Sequence, residues 1–274
     1  MPTTIYSMAG KPGWLLKFER AHEHFTALDV NIRDFLADHP YEPVVKFNPE
    51  NMQYGLGFRI KREPPPEWSI LIGECLYNFR SSLDHLVWQL ACDYSGNGDP
   101  KTQFPVFLRR DKYWKVSKKG IGTDESGLRK VCLLDPGAQA EIDGLQPYNR
   151  PDGPAEGHPL WLLQNLRNED EHRLLHVVGA AMGDADLVLR SQDGRPLSSV
   201  AVTSGNSGFI PFNEETDFIG GIIQSRAVTA VQVEGNFSFG IAFREGQPAR
   251  YLLSDIATFV SSKVFPALTP FLKA

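Results

Sequence analysis

Between three consecutive prolines, Pro64 to Pro66, and Asp93 runs a stretch that reads as a helix apolar on nearly every side. Ile72, Leu76, Phe79, Leu83, Leu86 and Leu90 mark one face, while Leu71, Cys75, Val87 and Trp88 place apolar groups elsewhere around the axis. Such a helix has no side to give to water, so other elements must surround it. Segment 67–93 is therefore expected at the centre of a helical arrangement.

The rest of the chain supplies neighbours for it. Residues 12–37 carry Phe18, Ala21, Phe25, Leu28, Ile32 and Phe35 at helical spacing, and Pro40 and Pro43 close that segment. The β-branched and aromatic run 43–62, broken by Pro49-Glu-Asn51, predicts a hairpin. Residues 96–130 read mostly as loop, 136–145 as a short helix and 147–159 as a connector. A third long helix is expected over 159–181, from Leu163, Leu166, Leu174 and Val177. From 185 to 252 the period changes to that of strands separated by glycine-bearing turns, one at Asp193-Gly194. A final amphipathic helix closes the chain, with Pro266 as its kink.

These readings make an α+β protein. A helical part spans 1–182 and includes the hairpin 43–62, an antiparallel β insert spans 183–251, and a C-terminal helix, 252–274, completes the helical part. A net charge of −5 gives no global affinity for nucleic acid or membrane. No apolar run approaches the roughly 20 residues a membrane helix needs, and the N-terminus lacks a basic start followed by an apolar run. Three scattered cysteines do not make a disulfide framework, so a reducing cytoplasm is expected.

Chemistry concentrates on two polar stripes. On the second helix Glu74, Asn78, Ser81 and His85 share a face, with Arg80 and Asp84 beside them. On the third, Asn165, Asn168, His172 and His176 do the same, flanked by Asp170 and Arg173. Both helices contain an arginine, four residues and a histidine, Arg80 to His85 and Arg167 to His172. Five positions turn a helix by about 140° beyond a full turn, so the paired groups do not stand on one line. Arg33 and His39 have similar spacing near a helix end.

The Arg-x4-His pattern on a helix of a small bundle resembles the HEPN family. The strings NFRSSLDHLVWQL and NEDEHRLL also resemble a group of uncharacterised bacterial proteins. The HEPN resemblance implies a four-helix core, a homodimer with paired motifs at its interface, and metal-independent cleavage of single-stranded RNA without a cofactor. His85 would take a proton from a 2′-hydroxyl and Arg80 would stabilise charge on the phosphorane, with Asn78 and Asp84 orienting them. Cleavage would leave a 2′,3′-cyclic phosphate and a 5′-hydroxyl.

The residues leave two other readings open. One is a non-catalytic, structural or partner-binding protein in which Asp84 pairs with Arg80 or Arg173 in a buried clasp. The other is a carboxylate-bridged di-metal bundle, from Glu19-x-x-His22 and Glu169-x-x-His172 with Glu74 or Asp84 and Asp255. Separately, the run Arg109, Arg110, Asp111, Lys112, Tyr113, Trp114, Lys115, Val116, Ser117, Lys118, Lys119 interleaves cations and rings. Such a run suits single-stranded RNA, or else a solvated loop anchored by its aromatics.

Overall fold

The computed structural model describes residues 10–117, 122–175, 177–183, 188–197, 199–203, 210–212, 219–224, 228–234, 237–243 and 246–273. It is mixed α and β, as expected. The chain divides into two compact units. One comprises the described residues of 1–26, 70–175 and 252–274; the other comprises those of 27–69 and 176–251. The boundaries fall inside three helices: α1 (Gly13–Ala37), α2 (Glu67–Ser95) and α7 (Ala249–Phe259).

In the first unit α2 is the core element its sequence demands. Ile72, Cys75, Leu76, Phe79, Leu83, Leu86, Val87, Leu90 and Ala91 are all buried, whereas Trp88 stays partly exposed. Aromatic rings join α2 to its neighbours. Phe18 of α1 lies 5.5 Å from Phe79 and 5.1 Å from Phe265, and Trp14 meets Phe265 edge-on at 4.7 Å. Between α2 and α6 (Pro159–Asp170) come three short helices, α3 (Arg110–Tyr113), α4 (Gly127–Val131) and α5 (Pro136–Gly144). Gly73 of α2 lets Asp170 approach closely, since a Cβ there would lie 2.7 Å from Oδ1.

The C-terminal helix bends before its proline rather than at it. A single π-helical stretch, Val260–Val264, separates α7 from α8 (Phe265–Leu268), with Pro266 in the first turn of α8. Proline has no N–H to donate backwards and crowds the preceding turn, so the wider turn accommodates it.

The second unit holds the sheets. β1 (Tyr41–Asn48) and β2 (Gln53–Ile60) form the expected hairpin, and Asn48 and Asn51 side chains accept backbone N–H bonds in its turn. The structure corrects the assignment of this hairpin to the helical part. β2 pairs with β7 (Ile219–Ile223), which pairs with β5 (Ser199–Thr203), giving the order β1-β2-β7-β5. β3 (Val177–Gly183) lies between β6 (Ile210–Pro211) and β9 (Phe237–Phe243), and β4 (Val188–Ser191) pairs with β8 (Val231–Glu234). Every described pairing is antiparallel. Tyr41, Phe58, Phe212 and Phe239 form an aromatic cluster with ring centroids 4.6 to 6.2 Å apart.

A second correction concerns the third helix. It was expected over 159–181, but α6 ends at Asp170 and a strand begins at Val177. Val177 and Val178 are β-branched, and seven residue pairs with β9 outweigh the local helical spacing. Among the described residues no helix is long and apolar enough to cross a membrane.

Candidate functional site

Arg80 and Asp84 stand one turn apart on α2, which puts guanidinium and carboxylate within reach. Arg80 is only 7% exposed. Its Nε donates to Asp84 Oδ2 at 3.2 Å, and its Nη2 donates to Asp84 Oδ1 at 2.9 Å and to the Phe104 carbonyl at 2.6 Å. The Phe104 N–H in turn donates to Asp84 Oδ1 at 2.9 Å. One ion pair therefore grips both polar groups of one peptide residue and pins the loop after α2. Arg80 Nη1 is buried without a hydrogen-bond partner. Nearby, burial and then the Arg80 charge hold the Lys130 ammonium below the usual lysine range, against the pull of Asp84.

The other two residues of this stripe have different surroundings. Asn78 is buried, with Nδ2 donating to the Glu74 carbonyl at 2.9 Å and Oδ1 accepting from Lys17 at 3.4 Å. It orients neither Arg80 nor His85. His85 is exposed and reaches the start of α1, where a Cβ on Gly13 would lie 3.4 Å from its Nδ1.

His85 lines a cleft of about 360 Å³ together with Gly13, Trp14, Asp84, Trp88, Gln89 and Thr102. Most of the polar groups there are already engaged. Thr102 Oγ1 accepts from the Asp99 N–H at 3.0 Å, and Gln89 Nε2 donates to Asp93 at 2.8 Å. Trp14 Nε1 is different: it is buried and has no partner. Gly98 underlies the Trp88 ring, and a Cβ there would stand 2.8 Å from Cε3. Because that ring can swing outward, Gly98→Ala should cost under about 1 kcal/mol. It should nevertheless move the Trp88 indole N–H resonance, and an unmoved resonance would count against this packing.

The second predicted stripe is not assembled as a helical face. His172 lies in an exposed turn beyond α6, and His176 falls outside the described residues. Asn168 accepts from Gln164 at 2.8 Å, Arg173 pairs with Glu169 at 2.8 Å and Arg167 with Glu171 at 2.6 Å. Asp170 lies against α2, where burial raises its carboxyl above the ordinary range. Asp84 thus pairs with Arg80, and Arg173 pairs elsewhere.

In the basic run, Tyr113 is fully buried against Phe107 and Tyr148, which removes it as a stacking surface. Trp114 keeps part of its ring exposed, but its Nε1 is tied to Asp143 at 3.0 Å. Asp143 also accepts from the Tyr148 hydroxyl. Arg109 pairs with Asp111, while Arg110, Lys112 and Lys115 are exposed. Lys118 and Lys119 lie outside the described residues. The anchored-loop reading describes these aromatics.

Among the described residues no group of three or more His, Cys, Asp or Glu side chains is placed to hold a metal ion. Glu19 pairs with Lys11, His22 contacts Thr26, and Glu74 meets His24 at 3.3 Å. Trp14 escaped sequence reasoning, although extending the α1 stripe back four residues from Phe18 reaches it. A larger, more open depression of about 450 Å³ over β1, β2 and β7 is floored partly by Gly55 and Gly221, and offers less side-chain chemistry. Set against family models, curated proteins and solved structures, the chain matches none of them.

Proposed function

We propose that this protein binds a small molecule in the His85 cleft and that the Arg80–Asp84 clasp is the framework of that site. One observation carries the reading. On a single helix the imidazole opens onto a cavity walled by two tryptophans, while the guanidinium five residues before it is sealed. The volume, about 360 Å³, falls within the range usual for ligand pockets. Aromatic walls with a few polar groups are the usual make-up of such sites.

Titration of the whole protein with small aromatic fragments, followed by the imidazole resonances of His85, tests the proposal. A true ligand should lose about tenfold or more in affinity in both His85→Ala and Trp88→Ala. Equal binding by wild type and both variants would place the ligand elsewhere.

A second reading retains RNA chemistry and the HEPN-like bundle. Exposed His85 would act as general base, and the surface of Arg110, Lys112, Trp114 and Lys115 would hold a single strand. Its requirement is that Arg80, now engaged by Asp84 and Phe104, meet a phosphate. Cleavage of single-stranded RNA in EDTA that vanishes in folded His85→Ala and Arg80→Ala proteins would favour it; equal cleavage by all three would remove it.

A further inference from the structure

We infer that the cleft selects a flat, uncharged aromatic heterocycle carrying a hydrogen-bond acceptor, which takes the indole N–H of Trp14. The inference rests on the cleft being a ligand site, and it follows from an inventory of what lines it. The Asp84 carboxylate is held by Arg80 and the Phe104 N–H, and Thr102 and Gln89 are engaged by Asp99 and Asp93. Polar recognition therefore falls to His85 at the exposed side and to Trp14 Nε1, which is buried without an acceptor.

A buried donor left unpaired costs free energy that a ligand acceptor would recover. Two indoles favour a planar π-system, which stacks or meets them edge-on. Charge argues in the same direction. No lysine or arginine lines the cleft and the Arg80 guanidinium is sealed, so a phosphate or carboxylate would find no fixed cation. An alkylammonium could use the aromatic faces but would offer nothing to an N–H.

Four probes separate these chemistries on the full chain: carbostyril, which is flat with a lactam carbonyl; naphthalene, the same shape without an acceptor; cyclohexanecarboxamide, an acceptor without a flat ring; and tetramethylammonium. Carbostyril should bind about tenfold or more tighter than the other three. It should also shift the Trp14 indole proton downfield, and that shift needs no variant. Trp14→Phe keeps a ring against Phe265 and should erase the preference over naphthalene. If naphthalene or tetramethylammonium binds as well as carbostyril, or the Trp14 proton does not move, the inference is overturned while the cleft reading stands. If none of the four shifts His85, both are overturned.

Discussion

Asp84→Ala is expected to destabilise the protein by about 3–5 kcal/mol, more than Arg80→Met, which should cost about 1–3 kcal/mol. The asymmetry comes from where each charge sits. The Arg80 side chain is 8% exposed and that of Asp84 is 32% exposed. Removing Asp84 strands a buried cation with Lys130 nearby as a like charge, and frees the Phe104 N–H. Removing Arg80 leaves a carboxylate that reaches water and still accepts from Phe104. The double variant Arg80→Met, Asp84→Leu should recover part of the loss, because replacing both members of a buried pair is gentler than breaking it. Urea denaturation of the three variants measures this. An Asp84→Ala protein as stable as wild type would remove the clasp from the framework, and with it the account of how the cleft is held.

The second large effect is a pH dependence centred on His158. This residue caps α6: its Nδ1 accepts the Leu160 N–H at 3.2 Å, and its ring meets Phe259 at 4.7 Å. Burial first, and the Arg150 charge second, lower its pKa from 6.5 to about 4. A protonated Nδ1 could not accept that bond, which agrees with the direction. In the unfolded chain the imidazole takes its proton near the ordinary value, so the unfolded state gains protons first as pH falls. The His158 contribution is therefore complete above pH 6.5 and is lost progressively towards pH 4. After allowance for partial solvent screening, the loss between neutral pH and about pH 5 should be about 1–2 kcal/mol. His158→Asn keeps an acceptor at the cap but cannot titrate. The stability gap between wild type and this variant should close by that amount over the same interval. A gap constant with pH would mean that His158 does not titrate between folded and unfolded states.

The helical part was readable wherever burial follows a single period. The α2 register, the hairpin and the C-terminal helix lie where apolar spacing and prolines put them, because each of these signals is local. The end of α6 was not readable: Leu174 and Val177 continue the helical spacing, and only pairing with β9 pulls the chain into a strand. The hairpin's place was hidden for the same reason, since the strand that claims β2 comes far later in the chain. At the site, the Arg80–Asp84 pair was legible from i,i+4 spacing, but the Phe104 peptide between its arms was not. Nor could a sequence tell that Arg80 faces inward and His85 outward, because neighbouring positions on an all-round apolar helix carry no marker of side.

Pairing of Gln53–Leu56 with Ile219–Ile222 has a consequence for biosynthesis. The hairpin leaves the ribosome well before the strand that will cover its inner edge, and until then that edge is a bare row of amides and carbonyls open to any passing β-segment. Closing so distant a pair is slow, because the loop must lose its freedom before the ladder compensates for it. The interval between making β2 and making β7 is thus when this chain is most exposed to mispairing.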